Sequence, residues 1–393
     1  MKKVFLFFLF CFIFISACYT PLEDERFQTE NYLFEYDLQN AYCTLLSPIA
    51  ESEDAYYFQP SFDSDYIWYY DKTTGKNGKL CGKPECPHNI PTCNAYASCF
   101  GGISWYDGYL YYVQTTPGLN PDGYKMIHRI SADGSIHEML HEFDSEILGS
   151  NMQIRFHRGF IYRAQIDSIV IDGTARNIIS ITQEQLDNEN VQTQVIFEKQ
   201  YDTVVSFFYK ILGNKIYILI MQGYENDQQI DLYCYDIMMQ STEHLLDMKD
   251  AWYATDLWVD TENVYIAVQQ NFVFRVDTYN LSSCEYMIGK SLESIANYPH
   301  LGENIIAVSN AVLNEAGPSY VIMDYDGQVL NEGIIPLSDP NASNAGFSYI
   351  GCNSNYVFFY WSLLDSKHEL YSKIIAIPID SNQQIIEMCS AYD

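Results

Sequence analysis

From Ala55 to the C-terminus, short apolar runs rich in tyrosine, valine and isoleucine alternate with compact polar breaks. Within a run the periodicity is two, as in "GISWYDGYLYYVQ" (Gly102 to Gln114). That period belongs to a β-strand, and the Asp107-Gly108 pair between the two halves belongs to a tight hairpin. "YKMIHRISADGSIHEMLHE" (Tyr124 to Glu142) repeats the arrangement around Asp133-Gly134. Together these stretches predict four antiparallel strands in about fifty residues, the size of one propeller blade.

The unit recurs along the chain. Its second strands are expected to centre on Tyr57, Tyr111, Ile161, Tyr217, Tyr265, Ile306 and Phe358. The spacing is roughly fifty residues, and the period inside each unit is two rather than 3.6, so no helical repeat fits. The expectation is an all-β chain: a single β-propeller over 45–393, with seven four-stranded blades. Six or eight blades stay open because of "NYLFEYDLQNAYC" (Asn31 to Cys43). That segment would serve either as the innermost strand of the first blade or as an added strand closing the last. Closure matters because an open ring exposes two unpaired strand edges.

The N-terminus, "MKKVFLFFLFCFIFISAC", departs from this rhythm. Lys2 and Lys3 precede an apolar run from Val4 to Ile15, of signal-peptide length and short for a bilayer span. Ile15-Ser16-Ala17-Cys18 resembles a bacterial lipobox, in which small residues admit the peptidase and the thiol carries the lipid. Residues 1–17 are therefore expected to be a lipoprotein signal peptide and Cys18 the lipidated residue, with 18–44 as tether. This predicts an extracytoplasmic protein held to the cell membrane through its lipid.

Composition narrows the partners. Aromatic residues make up 16% of the chain and charged residues 18%, the reverse of a disordered protein. The net charge of −30 repels phosphate backbones, so nucleic acid is discounted as a partner. The acids are scattered, and no calcium-loop ladder is present.

"LCGKPECPHNIPTCNAYASC" (Leu80 to Cys99) carries the densest chemistry. Cys81, Cys86, His88 and Cys93 are spaced C-x4-C-x-H-x4-C, and Cys99 follows. Three thiolates and an imidazole make a tetrahedral zinc set, and Pro84, Pro87 and Pro91 reduce the entropy lost when the ligands converge. Structural zinc is one expectation; one or two disulfides among these cysteines are a second, since export permits them, and unpaired thiols are the third. Nothing marks a nucleophilic cysteine. The remaining cysteines of the exported chain, Cys43, Cys234, Cys284, Cys352 and Cys389, read mainly as small buried residues.

The segment Tyr66 to Tyr96 resembles one found in a group of β-propeller surface lipoproteins of anaerobic Gram-positive bacteria. A strand ends in a turn, and Leu-Cys, Pro-x-Cys, His and Cys-Asn-Ala follow. The resemblance implies a propeller fold and a surface location, and brings no known reaction. An anaerobic surroundings would also disfavour disulfides.

The Cys/His knot reads as an interblade loop. The long loops between second and third strands are expected to emerge beside it, with Tyr124, Tyr224 and Trp361 as aromatic platforms for a ligand. The function expected is binding or scaffolding, with a glycan, a peptide or a partner protein as ligand. A glycan-processing hydrolase or lyase is the alternative. It would need two facing carboxylates, and the sequence singles out no pair.

Overall fold

The computed structural model describes residues 49–392, apart from 61–64, 98, 116–124, 144–152, 172–173, 187–192, 204, 224–227, 249–252, 272, 293–296, 311–316, 338–342, 366 and 368. Seven antiparallel sheets follow one another along the chain, each with its strands in sequence order; six have four strands, and in the fifth the outer strand is split into Tyr286–Met287 and Ser291–Leu292, both paired with Val273–Asn280. They form a seven-bladed β-propeller, and the described residues contain no helix.

Blade 1 is Ile49–Glu51, Ala55–Phe58, Trp68–Asp71 and Asn77–Lys79. Blade 2 is Cys99–Tyr106, Tyr109–Thr115, Lys125–Ser131 and His137–Phe143. Blades 3 and 4 begin at Gln153 and Val205, and blades 5 and 6 at Tyr253 and His300. Blade 7 runs from Ser343 to Tyr392. All seven residues expected at second-strand centres lie in second strands. The Asp107-Gly108 hairpin has φ of 45° and 77°, the left-handed pair that a two-residue turn requires.

Seven buried clusters hold the ring, one between each pair of neighbouring blades. The period of two explains how one strand serves two of them. In blade 4, Ile216, Ile218 and Ile220 pack toward blade 3. Tyr217, Leu219 and Met221, on the opposite face, pack toward blade 5. Both faces of this second strand are buried, so it is apolar on both, whereas outer strands such as Ser241–Met248 are largely exposed and polar.

The seam between blades 7 and 1 closes by packing. Ile49, Tyr56 and Phe58 of blade 1 meet Ile350, Phe358 and Ile374 of blade 7. The Asn353 amide donates to Glu51 Oε2 and to the Tyr56 hydroxyl, each at 3.1 Å. Among the described residues, blade 1 takes its inner strand from Ile49–Glu51, and blade 7 takes all four strands from the C-terminal stretch. The segment expected to supply either strand, 31–43, lies outside the described residues, as do Cys18 and the leader.

Candidate functional site: the Cys/His knot and its cleft

The knot interrupts the outer edge of blade 1. Leu80 N–H donates to the Ile67 carbonyl at 2.9 Å, and Ile67 N–H donates to the Ala95 carbonyl at 2.9 Å. Leu80 and Ala95 thus share one partner residue, and residues 81–94 leave the sheet and return to it at the same point. Ala97 N–H then bonds the Asp65 carbonyl at 2.7 Å, continuing the edge toward blade 2.

The excursion is clamped to the turn between the third and fourth strands of blade 2. Gly82 N–H donates to the Gly134 carbonyl at 3.0 Å. The buried Asn94 amide donates to the carbonyls of Gly134 and Ser135, at 2.8 and 2.9 Å. Both glycines are forced by this approach. A Cβ on Gly82 would lie 2.7 Å from the Asp133 carbonyl oxygen, and one on Gly134 would lie 2.7 Å from Cys81 N. Gly134 also has φ of +68°. Gly134→Ala is therefore expected to unseat the knot at a cost of about 1–2 kcal/mol. Faster hydrogen exchange confined to 81–97 and 131–136 would register it.

The knot begins and ends on the 2–3 connection of blade 1, at Ile67 and Asp65, and packs against the 3–4 turn of blade 2. The long 2–3 loops expected beside it fall largely on 116–124, 224–227 and 311–316, outside the described residues. Tyr124 and Tyr224 lie outside the described residues. Trp361 is no platform: it is 2% exposed, in the core between blades 6 and 7.

The four expected ligands converge. One ligand atom from each of Cys81, Cys86, His88 and Cys93 lies within 4.8 Å of all the others. Cys93 Sγ and His88 Nδ1 are 3.6 Å apart. Zinc–sulfur and zinc–nitrogen bonds at the tetrahedral angle give an S···N edge of about 3.6 Å. The cluster can therefore hold a metal ion. Cys99 opens the inner strand of blade 2, its backbone paired with Gln114. The three knot cysteines form no disulfide, nor do Cys234, Cys284, Cys352 and Cys389. Cys234, Cys352 and Cys389 are buried as expected, whereas Cys284 is exposed.

Of Cys81 and Cys93, the surroundings favour the thiolate at Cys81 alone. Burial pushes the Cys81 thiol up, but N–H groups of Lys83 and Asn94 and the neighbouring thiols outweigh it, bringing it down to about 7. Cys93 goes the other way: burial first, then its thiol neighbours, push it up to about 11 against a bond from Ala95 N–H. His88 has φ of 55°, and its N–H reaches Cys86 Sγ at 3.4 Å. Lys79 donates to the His88 carbonyl at 2.5 Å and lies 3.7 Å from the centroid of the Tyr66 ring.

His137 sits under the knot near the Asn94 backbone. Its Nε2 lies 2.8 Å from the Tyr112 hydroxyl and 3.2 Å from His128 Nδ1. Burial, then the His137 charge, lowers His128 to about 4. The unfolded chain holds the extra proton between pH 6.5 and 4, so stability rises with pH across that window and is lost on acidification. His128→Phe keeps the stacking on Tyr112 and removes the titration. Urea unfolding at pH 7 and pH 5 should show the variant losing about 1–2 kcal/mol less than the parent, discounting for partial exposure.

A cleft of about 970 Å³ opens beside the knot, between blades 1 and 2. Cys81 and His88 line one wall. Tyr57 and Trp105 contribute rings stacked at 5.3 Å and 8°, and Tyr69 adds a third. Five carboxylates border it: Glu53, Asp54, Asp71, Asp107 and Asp133. Asp71 and Asp133 brace their own turns. Asp71 accepts the N–H groups of Thr73 and Thr74, and Asp133 accepts the Ser131 hydroxyl plus the Ser135 N–H and hydroxyl. The bond from Ser131, followed by those from Ser135, takes the Asp133 carboxyl down to about 2. Sequence reasoning missed this cleft because it joins turns of two blades; the Asp-Gly pairs were legible only as hairpins.

No family model matches the sequence, and no curated protein matches it. Among solved structures, the chain is similar to a prolyl endopeptidase with 13% identity and a TM-score of 0.56, covering 94% of this chain and 51% of that one. A puromycin hydrolase matches with 10% identity and a TM-score of 0.51, over 93% and 56% of the two chains. An acylaminoacyl peptidase of Pyrococcus horikoshii matches with 11% identity and a TM-score of 0.50, over 91% and 54%. The chain spans about half the length of these proteins. At such identities the likeness concerns the scaffold alone, which is shared with peptidase propeller domains. The chain is a seven-bladed β-propeller carrying a Cys3His cluster able to hold a metal ion.

Proposed function

We propose that this protein is an extracytoplasmic lipoprotein, anchored through Cys18, whose propeller binds a ligand in the cleft beside the knot. The observation that carries the reading is the cleft itself: a concave, aromatic-walled site between two blades, with the knot as one wall. Sites of this volume, bounded by rigid elements and a few polar groups, are where proteins of this size bind small molecules or short segments. A glycan, a peptide or a segment of a partner protein would fit its aromatic wall.

The knot serves this site as a structural zinc centre. All four coordination positions are supplied by protein, leaving none for a reactive water. Bound zinc would fix residues 81–94 against blade 2 and so fix the wall of the cleft. The anchor rests on the leader and Cys18, and acid-resistant labelling by a fatty-acid analogue, lost in Cys18→Ala, tests it.

For the cleft, a panel of glycans and peptides probed with the full chain and with Trp105→Leu is the direct test. Binding should fall at least tenfold in the variant. Retained binding in a folded Trp105→Leu protein would place the ligand elsewhere.

A further inference from the structure

We infer that the cleft selects an organic cation, an ammonium or guanidinium group, and this rests on the cleft being the ligand site. Five carboxylates line it against a single lysine, counting only described residues. That lysine, Lys79, is turned away: its ammonium donates to the His88 carbonyl and lies over the Tyr66 ring. It therefore serves the knot rather than neutralising the rim. Asp71 and Asp133 are occupied in holding their turns. Glu53, Asp54 and Asp107 are exposed at the tips of the two 1–2 turns, on either side of the opening.

Behind this rim stand aromatic faces. Trp105 stacks on Tyr57, with Tyr69 beside them. Tyr57 is buried against Trp105, so a cation entering between the acids meets the part-exposed rings of Trp105 and Tyr69, whose negative quadrupole attracts it further. A zinc ion held by three thiolates and one neutral imidazole leaves the knot with one net negative charge, which adds to the same field. A neutral sugar would stack on the rings and donate its hydroxyls to the acids but gain nothing from their net charge, and an anion would be repelled by both.

Calorimetric titration of the zinc-loaded full chain with spermidine and with trilysine peptide tests the assignment, with maltotriose as the neutral probe. Both cations should bind, and affinity should fall about tenfold from 50 to 500 mM salt. Asp54→Asn with Asp107→Asn should cost about tenfold more, while Asp326→Asn on blade 6 leaves affinity unchanged. Tighter binding of spermidine assigns a free polyamine; tighter binding of trilysine assigns a peptide side chain. Cation binding indifferent to the double substitution overturns the inference. Maltotriose bound more tightly than either cation, and lost in Trp105→Leu, overturns the cation class while leaving the cleft as ligand site. Failure of all three probes to bind overturns the cation class, and failure of the wider glycan and peptide panel as well removes the ligand site itself.

Discussion

Cys93→Ser is expected to take the zinc content of the purified chain from one ion to none and to lower its melting temperature by about 5–10 °C. A ligand that binds only the folded state stabilises it by RT ln(1 + [L]/Kd), about 4 kcal/mol at a thousandfold excess over Kd. In a domain of several hundred residues each kcal/mol moves the transition by roughly 2 °C. Serine preserves size but offers no thiolate. Cys93 is also 2% exposed, packed with Leu80, Ala95 and Tyr112 between blades 1 and 2, so the polar hydroxyl adds a burial cost. Elemental analysis under thiol protection, paired with calorimetry, reads both effects. Chelator should shift the parent toward the variant and leave the variant where it is. Cys284→Ser, at an exposed turn of blade 5, should change neither. A metal-free parent with fewer free thiols than cysteines would instead favour the disulfide reading.

The fold was legible because the inner strands of each blade are buried and rich in β-branched and aromatic residues, while the outer strands and turns are polar, and this contrast recurs through all seven units. The turn chemistry agreed: Asp107-Gly108 and Asp133-Gly134 are both turns. The ligand set was legible too, since Cys81, Cys86, His88 and Cys93 lie close enough in sequence for a short proline-bearing loop to gather them. What was hidden is non-local. The docking of the knot depends on Gly82 meeting Gly134 and on Asn94 reaching two carbonyls about forty residues ahead. None of these residue types advertises such a role. The inner strand of blade 1 was equally obscure: Ile49-Ala50-Glu51 is three residues long, too short to show a period.

Trp361→Ala is expected to destabilise the propeller by about 3–5 kcal/mol, the range for emptying a fully buried aromatic site. The same change on an exposed binding face would cost within about 0.5 kcal/mol. The sequence "SYIGCNSNYVFFYW" ends a strand at this residue, which suggested a tip open to ligand. The strand in fact continues to Leu364, paired throughout with Leu370–Pro378. By the period of two, Val357, Phe359, Trp361 and Leu363 share the face toward blade 6, while Phe358 and Tyr360 face blade 1. Trp361 makes an edge contact with Phe347 at 6.4 Å, and Lys373 Nζ lies 5.8 Å from its ring centroid. Truncation to alanine leaves a cavity between two blades, and their cluster has no partner atoms with which to fill it. Chemical denaturation measures the loss, and Trp361→Phe should recover more than half of it. A variant as stable as the parent would mean that the seam between blades 6 and 7 is not packed as described.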